Sequence, residues 1–281
     1  MRGELESAPE AKVAVHPTAI ISPEAELASD VEVGPYVVID GRVKIGAGCR
    51  ILPHAYITGW TEMGEGNVVH PGAVVGGEPQ DLAFKGGESY CRIGSRNVIR
   101  EGAQIHRGVK PGSETVVGDD CYLMADSHVA HNCRLGNSVI LANCALLAGY
   151  VRVGDRAFVS GGAAVHQFVR IGTHAFISGN SSISMDVPPY FTAQGRNVIV
   201  QVNKVGLRRS PVVPKESAEA IARAFRLLYR SGLGFTEALE KLAAEPQPPE
   251  VAALIEFFRS SERGVCGPSR HRRQEWRSEK D

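Results

Sequence analysis

A chain of 281 residues with 31 basic and 31 acidic side chains has no net charge, which argues against nucleic acid or an anionic membrane as its main partner. Hydrophobic residues make up 43%, enough for one large domain or two smaller ones, and no apolar stretch approaches the ~20 residues of a membrane span. Aromatics are scarce at 6% while glycines number 31, a balance that suits many short turns around small core positions.

Met1 to Lys12 are polar and acidic and hold no apolar export region. Residues 1–12 therefore read as an N-terminal extension, and the expected location is cytoplasmic. From Val15 a large apolar residue recurs at every sixth position through Ile21, Leu27, Val33, Ile39 and onward to Val75. The frame breaks at Asp81 and Gly87, returns in phase at Ile93, Ile99 and Ile105, and breaks again at Pro111. It then runs without interruption from Val117 to Ile183. Two positions before each large residue stands a small or β-branched one, such as Ala19, Ala55, Ala103, Ala145 or Ala175.

This period predicts an all-β solenoid over 13–190, a parallel β-helix of hexapeptide repeats. Three hexads make one coil, and coils stack at the ~4.8 Å inter-strand spacing. Cys49, Cys91, Cys121 and Cys133 fall on the small inward position, where a free thiol packs as a small hydrophobe; their spacing matches no zinc motif. The two breaks preserve the frame, so 76–90 and 108–114 read as loops inserted at corners, where binding groups tend to sit on a rigid scaffold.

Asp186-Val187-Pro188-Pro189 ends the repeat. Residues 191–265 read as a connector and a helical domain. Pro214 precedes a helix with an apolar face of Ile221, Phe225, Leu228 and Tyr229, and Gly232 stops it. Thr236 is the expected cap of a second helix through Leu239 and Leu242. Val251, Leu254, Ile255 and Phe258 mark a third, ended by Gly264. Residues 266–281 form a basic tail with the composition of a disordered segment.

The period also predicts neighbours, since residues 18 apart share a corner on adjacent coils. His131, Gly149 and Gln167 are spaced in this way and should form a vertical ladder. An imidazole beside a glycine N–H is a minimal kit for acyl transfer: the ring takes a proton from a hydroxyl nucleophile, and the N–H stabilises the resulting oxyanion. Periodicity alone leaves other readings open. His131 could be a solvated turn residue, and a zinc site is the sharper competitor, although His128 and His131 share one turn and neither has a His 18 residues away.

Several stretches resemble the UDP-N-acetylglucosamine O-acyltransferase family of lipid A biosynthesis, over about Ala14 to Val265. They are Ile99-Arg100-Glu101 through Ile105-His106-Arg107-Gly108, His128-Val129-Ala130-His131, Leu141-Ala142-Asn143, Ala164-Val165-His166-Gln167-Phe168, Asp186-Val187-Pro188-Pro189-Tyr190 and Leu228-Tyr229-Arg230-Ser231-Gly232. The hexapeptide by itself would not single out this family, because acetyltransferases and γ-class carbonic anhydrases share it.

The resemblance implies a left-handed parallel β-helix, a homotrimer with active sites between subunits, and no metal or dissociable cofactor. It implies transfer of an (R)-3-hydroxyacyl chain from acyl carrier protein to the 3-hydroxyl of UDP-N-acetylglucosamine. His131 then matches the general base and Gly149 the oxyanion donor, while His128, His166 and Gln167 match positions that bind substrate or acyl donor. Gly179 lies where acyl-chain length is limited, Asn203 and Arg209 in the segment that meets the nucleotide, and Gln80 and Asp81 on the inserted loop near the sugar. Because acyl carrier proteins are acidic, Lys204, Arg208, Arg209, Arg223 and Arg226 are candidates for a basic docking rim.

The chain departs from the family pattern mainly on the acceptor side. Asn132 stands where better-known members carry an Asp beside the base; an amide can orient an imidazole but brings no charge to the imidazolium. Ala83 replaces a Lys, with Lys85 displaced from that position, and Tyr150, Val205 and Ser210 replace a His, a Glu and an Arg. These changes keep two alternatives in view. One is N-acylation of a 3-amino nucleotide sugar, and the other is a non-catalytic trimer that binds carrier protein or nucleotide sugar.

Overall fold

The computed structural model describes residues 14–268 as two compact units, one ending at Ser138 and the other beginning at Val139. The first unit is built almost entirely of strands two to four residues long, paired in parallel. Ala14–Val15, Glu32–Val33, Arg50–Ile51, Val68–Val69, Val98–Ile99 and Tyr122–Leu123 stack into one sheet. Two further sheets, running through Ile20–Ile21 and Glu26–Leu27, complete the three walls of the coil.

Register follows the hexapeptide frame. Val15 pairs with Val33, and Ile39 with Ile57, 18 residues on. Across the first loop Met63 pairs with Ile93, and across the second Ile93 pairs with Val117. Both insertions therefore add whole hexads and leave the stack undisturbed, as the preserved frame predicts.

The inward positions form the core: Ile39, Ile57, Ile99, Ile105 and Leu123 are fully buried, as are Cys49, Cys91 and Cys133. All six cysteines are free thiols. The first described coil is less enclosed, with Val15 41% exposed, since no coil among the described residues precedes it. Two small inward positions hold buried asparagines instead of apolar residues. Asn67 donates to the Gly64 and Gly94 carbonyls at 2.8 and 2.9 Å, and its Oδ1 accepts the Asn97 N–H at 2.9 Å. Asn97 Oδ1 in turn accepts the Cys121 N–H at 2.7 Å. These bonds satisfy backbone groups at the stacked corners around Gly64, Gly94 and Cys121, which is why polar side chains are tolerated inside.

Corners are made by left-handed backbone. Every sixth residue from Asp120 to Asn180 has positive φ, and only Gly162 among them is glycine. Stacking imposes a conformation that costs L-residues energy, so each coil depends on its neighbours to hold its corners.

The three outer faces of the first unit differ. One is a charged ladder in which Lys44 meets Glu26 at 3.2 Å, and Arg92 bridges Glu62 and Glu114. Such exposed pairs add little stability and mark a solvated wall. Another presents Ile20, Val38, Tyr56, Val74, Gln104 and His128 in consecutive register, an apolar row that ends at two polar side chains.

The second unit continues the same pattern to Ser182–Ile183 and then changes. Phe191–Gln194 and Val198–Val202 form an antiparallel hairpin, which the spacing does not predict. Four helices follow among the described residues: α1 (Lys204–Arg209), α2 (Lys215–Arg230), α3 (Phe235–Ala243) and α4 (Pro249–Arg259). The apolar face read for α2 packs as expected, with Phe225 and Tyr229 edge-on to Phe191 at 5.3 and 5.6 Å.

The expected cap of α3 is corrected. Gly234 occupies the cap position and Thr236 lies inside the helix, because Phe235 begins the first turn and packs on Tyr229 and Phe258 at 5.3 and 5.2 Å. Helix α4 stops at Ser260, before Gly264. Gly267–Pro268 pairs with Val198–Ile199. The N-terminal extension and residues 269–281 of the basic tail lie outside the described residues.

Candidate active site

In the first unit the two inserted loops and the corner after His128–Val129 bring ionisable groups together. His131 is nearly enclosed, with 4% of its side chain exposed. Its Nδ1 lies 3.0 Å from Asn132 Oδ1, and its Nε2 lies 3.2 Å from Asp81 Oδ2 on the first loop. Asn132 Oδ1 also accepts the Val109 N–H at 3.0 Å from the second loop, which fixes the end of the amide that faces the ring. The Asn132 N–H donates to Thr115 Oγ1 at 2.7 Å. An acceptor oxygen at Nδ1 calls for a proton there, so the proton exchanged in base catalysis is the one at Nε2, the nitrogen that Asp81 faces.

His106 and His128 pack ring to ring with centroids 5.0 Å apart. The His106 Nδ1–H donates to the Glu78 carbonyl at 2.5 Å. Burial holds both rings below the usual histidine range, His128 down to about 4, and their neighbouring imidazoles push the same way. The site thus has two neutral imidazoles beside its base. Arg107, 7% exposed, anchors the first loop through Glu78 Oε1 at 3.2 Å and lies over the rings of Trp60 and Phe84. Gln80 and Leu82 are exposed on that loop.

The depressed His128 value has a sign that can be tested. An unfolded histidine titrates near 6.5, so between that pH and about 4 the unfolded chain binds the extra proton. Stability is therefore full above pH 6.5 and falls as pH drops toward 4. The melting temperature should decline over this window, and His128→Gln should flatten the decline. An unchanged slope in the variant would remove His128 as its source.

The second unit holds the other candidates. Gly149 is buried at a corner, and Tyr150 and Phe168 stack beside it at 4.8 Å. His166 and Gln167 are exposed, and Arg263 from beyond α4 reaches His166 Nδ1 at 3.4 Å while donating twice to the Ser184 carbonyl. Arg263 has no sequence signal, because it lies outside the repeat. Gly179 is exposed, and a Cβ there would sit 3.3 Å from the Gly161 carbonyl, so two glycines one coil apart leave a ledge free of side chains.

Asn203 caps α1 through the Gly206 N–H at 2.9 Å and donates to the His174 carbonyl at 2.9 Å, so its amide is engaged by the protein itself. Arg209 is exposed in the last turn of α1. A groove of about 500 Å³ between α1 and α2 is lined by Val202, Leu207 and Val213 together with Lys204, Arg208 and Lys215.

Comparison with known proteins decides the family. The description "Udp N-acetylglucosamine O-acyltransferase; Domain 2" matches residues 186–266, and the bacterial transferase hexapeptide repeat matches 42–77 and 114–149. An acyl-[acyl-carrier-protein]–UDP-N-acetylglucosamine O-acyltransferase of Thermodesulfovibrio yellowstonii is 44% identical over 255 residues, which is 90% of this chain and 98% of that protein. The chain belongs to the UDP-N-acetylglucosamine O-acyltransferase family.

A relative of the same description from Syntrophobacter fumaroxidans is also 44% identical, over 89% of this chain and 98% of its own. Among solved structures, the UDP-N-acetylglucosamine acyltransferase of Bacteroides fragilis superposes with a TM-score of 0.85 at 42% identity, covering 89% of this chain and 99% of that one. The family's left-handed parallel β-helix is the fold of this chain, and the enzyme reading stands with it. No helix among the described residues is long and apolar enough to cross a membrane.

Proposed function

We propose that the chain transfers an (R)-3-hydroxyacyl group from acyl carrier protein to the 3-hydroxyl of UDP-N-acetylglucosamine, the opening step of lipid A biosynthesis. The observation that carries this reading is end-to-end similarity to enzymes of that description, joined to an enclosed His131 whose Nδ1 is held by Asn132. His131 Nε2 takes the proton of the sugar hydroxyl as its oxygen attacks the thioester carbonyl. Gly149, 18 residues on in the sequence frame, is the proposed donor of the N–H that stabilises the oxyanion. Collapse breaks the C–S bond, forms the ester, and returns the proton from the imidazolium to the departing thiolate.

Gln80, Asp81 and His128 border the acceptor side. His166 and Gln167 serve the donor, and the Gly161–Gly179 ledge gives the acyl chain a path. Asn203 and Arg209 stand on the nucleotide side, Asn203 through the geometry of α1. The cationic groove of α1 and α2 suits an acidic carrier protein. The apolar row from Ile20 to Val74 suits burial against a second copy, in keeping with a homotrimer whose sites lie between subunits. A cytoplasmic location follows from the carrier-protein donor.

The test is a panel of 3-hydroxyacyl carrier proteins offered with UDP-N-acetylglucosamine or its 3-amino analogue, with products read by mass spectrometry. An ester on UDP-N-acetylglucosamine is expected. An amide formed only on the analogue would move the acceptor assignment, and no product with either would leave a binding role.

A further inference from the structure

The two nitrogens of His131 face different oxygens, and only one of those oxygens can carry charge. On the Nδ1 side, Asn132 is neutral and its amide is fixed by the Val109 N–H. On the Nε2 side stands the Asp81 carboxylate at 3.2 Å. This carboxylate is well placed by its own turn: Oδ1 accepts the Ala83 N–H at 2.8 Å, and the Asp81 carbonyl accepts the Phe84 N–H at 2.9 Å. Oδ2 is thereby directed at the ring. The other charges of the loop are turned elsewhere, since Lys85 Nζ donates to the Leu82 carbonyl at 3.2 Å, Glu78 pairs with Arg107, and Glu88 accepts the Tyr90 hydroxyl. The remaining ionisable rings beside His131 in this unit, His106 and His128, are both kept neutral by burial.

Resting on the acyl-transfer reading, the geometry points to Asp81 as the positioning residue whose carboxylate stabilises the His131 imidazolium formed when the base has taken the acceptor's proton. Asn132 sets the tautomer and Asp81 supplies the charge, so two residues divide a task that one carboxylate on Nδ1 performs in a Ser-His-Asp triad. The acceptor hydroxyl must reach the same Nε2. Asp81 yields its direct contact as the hydroxyl enters and remains within the ~4–6 Å over which an opposite charge favours the ionised form.

Asp81→Asn tests this, because an Asn side chain preserves the turn through its Oδ1 and removes the charge, with an NH2 group in place of Oδ2. The expected result is a kcat lower by roughly 10- to 100-fold with KM for UDP-N-acetylglucosamine changed less than about threefold. The acid limb of kcat/KM should move to lower pH, since losing a nearby negative charge weakens the base. Adding Asn132→Asp should restore charge on the other side of the ring and recover at least about fivefold in kcat. A raised KM with unchanged kcat would overturn the inference and make Asp81 a sugar contact alone. A kcat loss with no limb shift and no recovery in the double variant would equally overturn it, leaving a structural role. Failure of the acyl-transfer reading is separable: wild type would then make no ester, whereas NMR titration of carbon-13-labelled His131 in wild type and Asp81→Asn still reports the charge coupling without turnover.

Discussion

Replacing His131 by alanine should lower kcat by roughly 10²- to 10⁴-fold, the range for removing a general base, with little change in KM for either substrate. The two other imidazoles described near His131 in its unit are poorly suited to take its place. His128 is held down to about 4 and is a weak base, and the Nδ1 of His106 is committed to the Glu78 carbonyl. Residual turnover should come from positioning and from the oxyanion donor, which the substitution leaves intact. The folded state is the necessary control, since a side chain 4% exposed contributes packing as well as chemistry. His131→Gln keeps most of the volume and should match the alanine variant in kcat while melting closer to wild type. A variant within about threefold of wild-type kcat would end the assignment of His131 as base.

The solenoid was legible because its signal is periodic and local. One large and one small apolar residue per hexad fix the strands, the inward faces of Cys49 to Cys133, and the whole-hexad length of both insertions. His131 and Asn132 were legible for the same reason, since their corner lies inside the frame. The Asp81–His131 contact was not, because the path of a loop is set by tertiary bonds, here from Glu78 to His106 and Arg107, that leave no period in the sequence. Corners such as Tyr150 and Phe168 carry positive φ without glycine, so the left-handed turns are invisible to a search for flexible residues. Asn67 and Asn97 look like defects in an apolar pattern until the corner groups they bond are seen, the Gly64 and Gly94 carbonyls for Asn67 and the Cys121 N–H for Asn97. The hairpin and α1 are short, and Arg263 meets His166 only because the chain returns after α4.

Asp186→Ala should cost about 3–5 kcal/mol, because it strands a partly buried guanidinium. Asp186 is 1% exposed and accepts three bonds: from the Arg170 N–H at 2.8 Å, Arg170 Nε at 2.8 Å and Ser261 Oγ at 2.9 Å. Its backbone exchanges bonds with Gly264 and Cys266. The same guanidinium donates to the Phe257 carbonyl at 2.9 Å and lies 4.4 Å from the centre of that ring. One ion pair, buried at its Asp186 end, therefore ties the last coils to the chain that leaves α4, and that chain carries Arg263 to His166. At ~2–4 °C per kcal/mol for a unit of this size, the melting temperature should fall by roughly 6–20 °C. Asp186→Asn keeps acceptors for two of the three donors and should lose less than half as much. A pairing of Arg170→Met with Asp186→Ala should recover stability relative to Asp186→Ala alone, since removing both charges is cheaper than orphaning one. If the double variant is no more stable than the single, the cost lies in packing rather than in the unpaired charge.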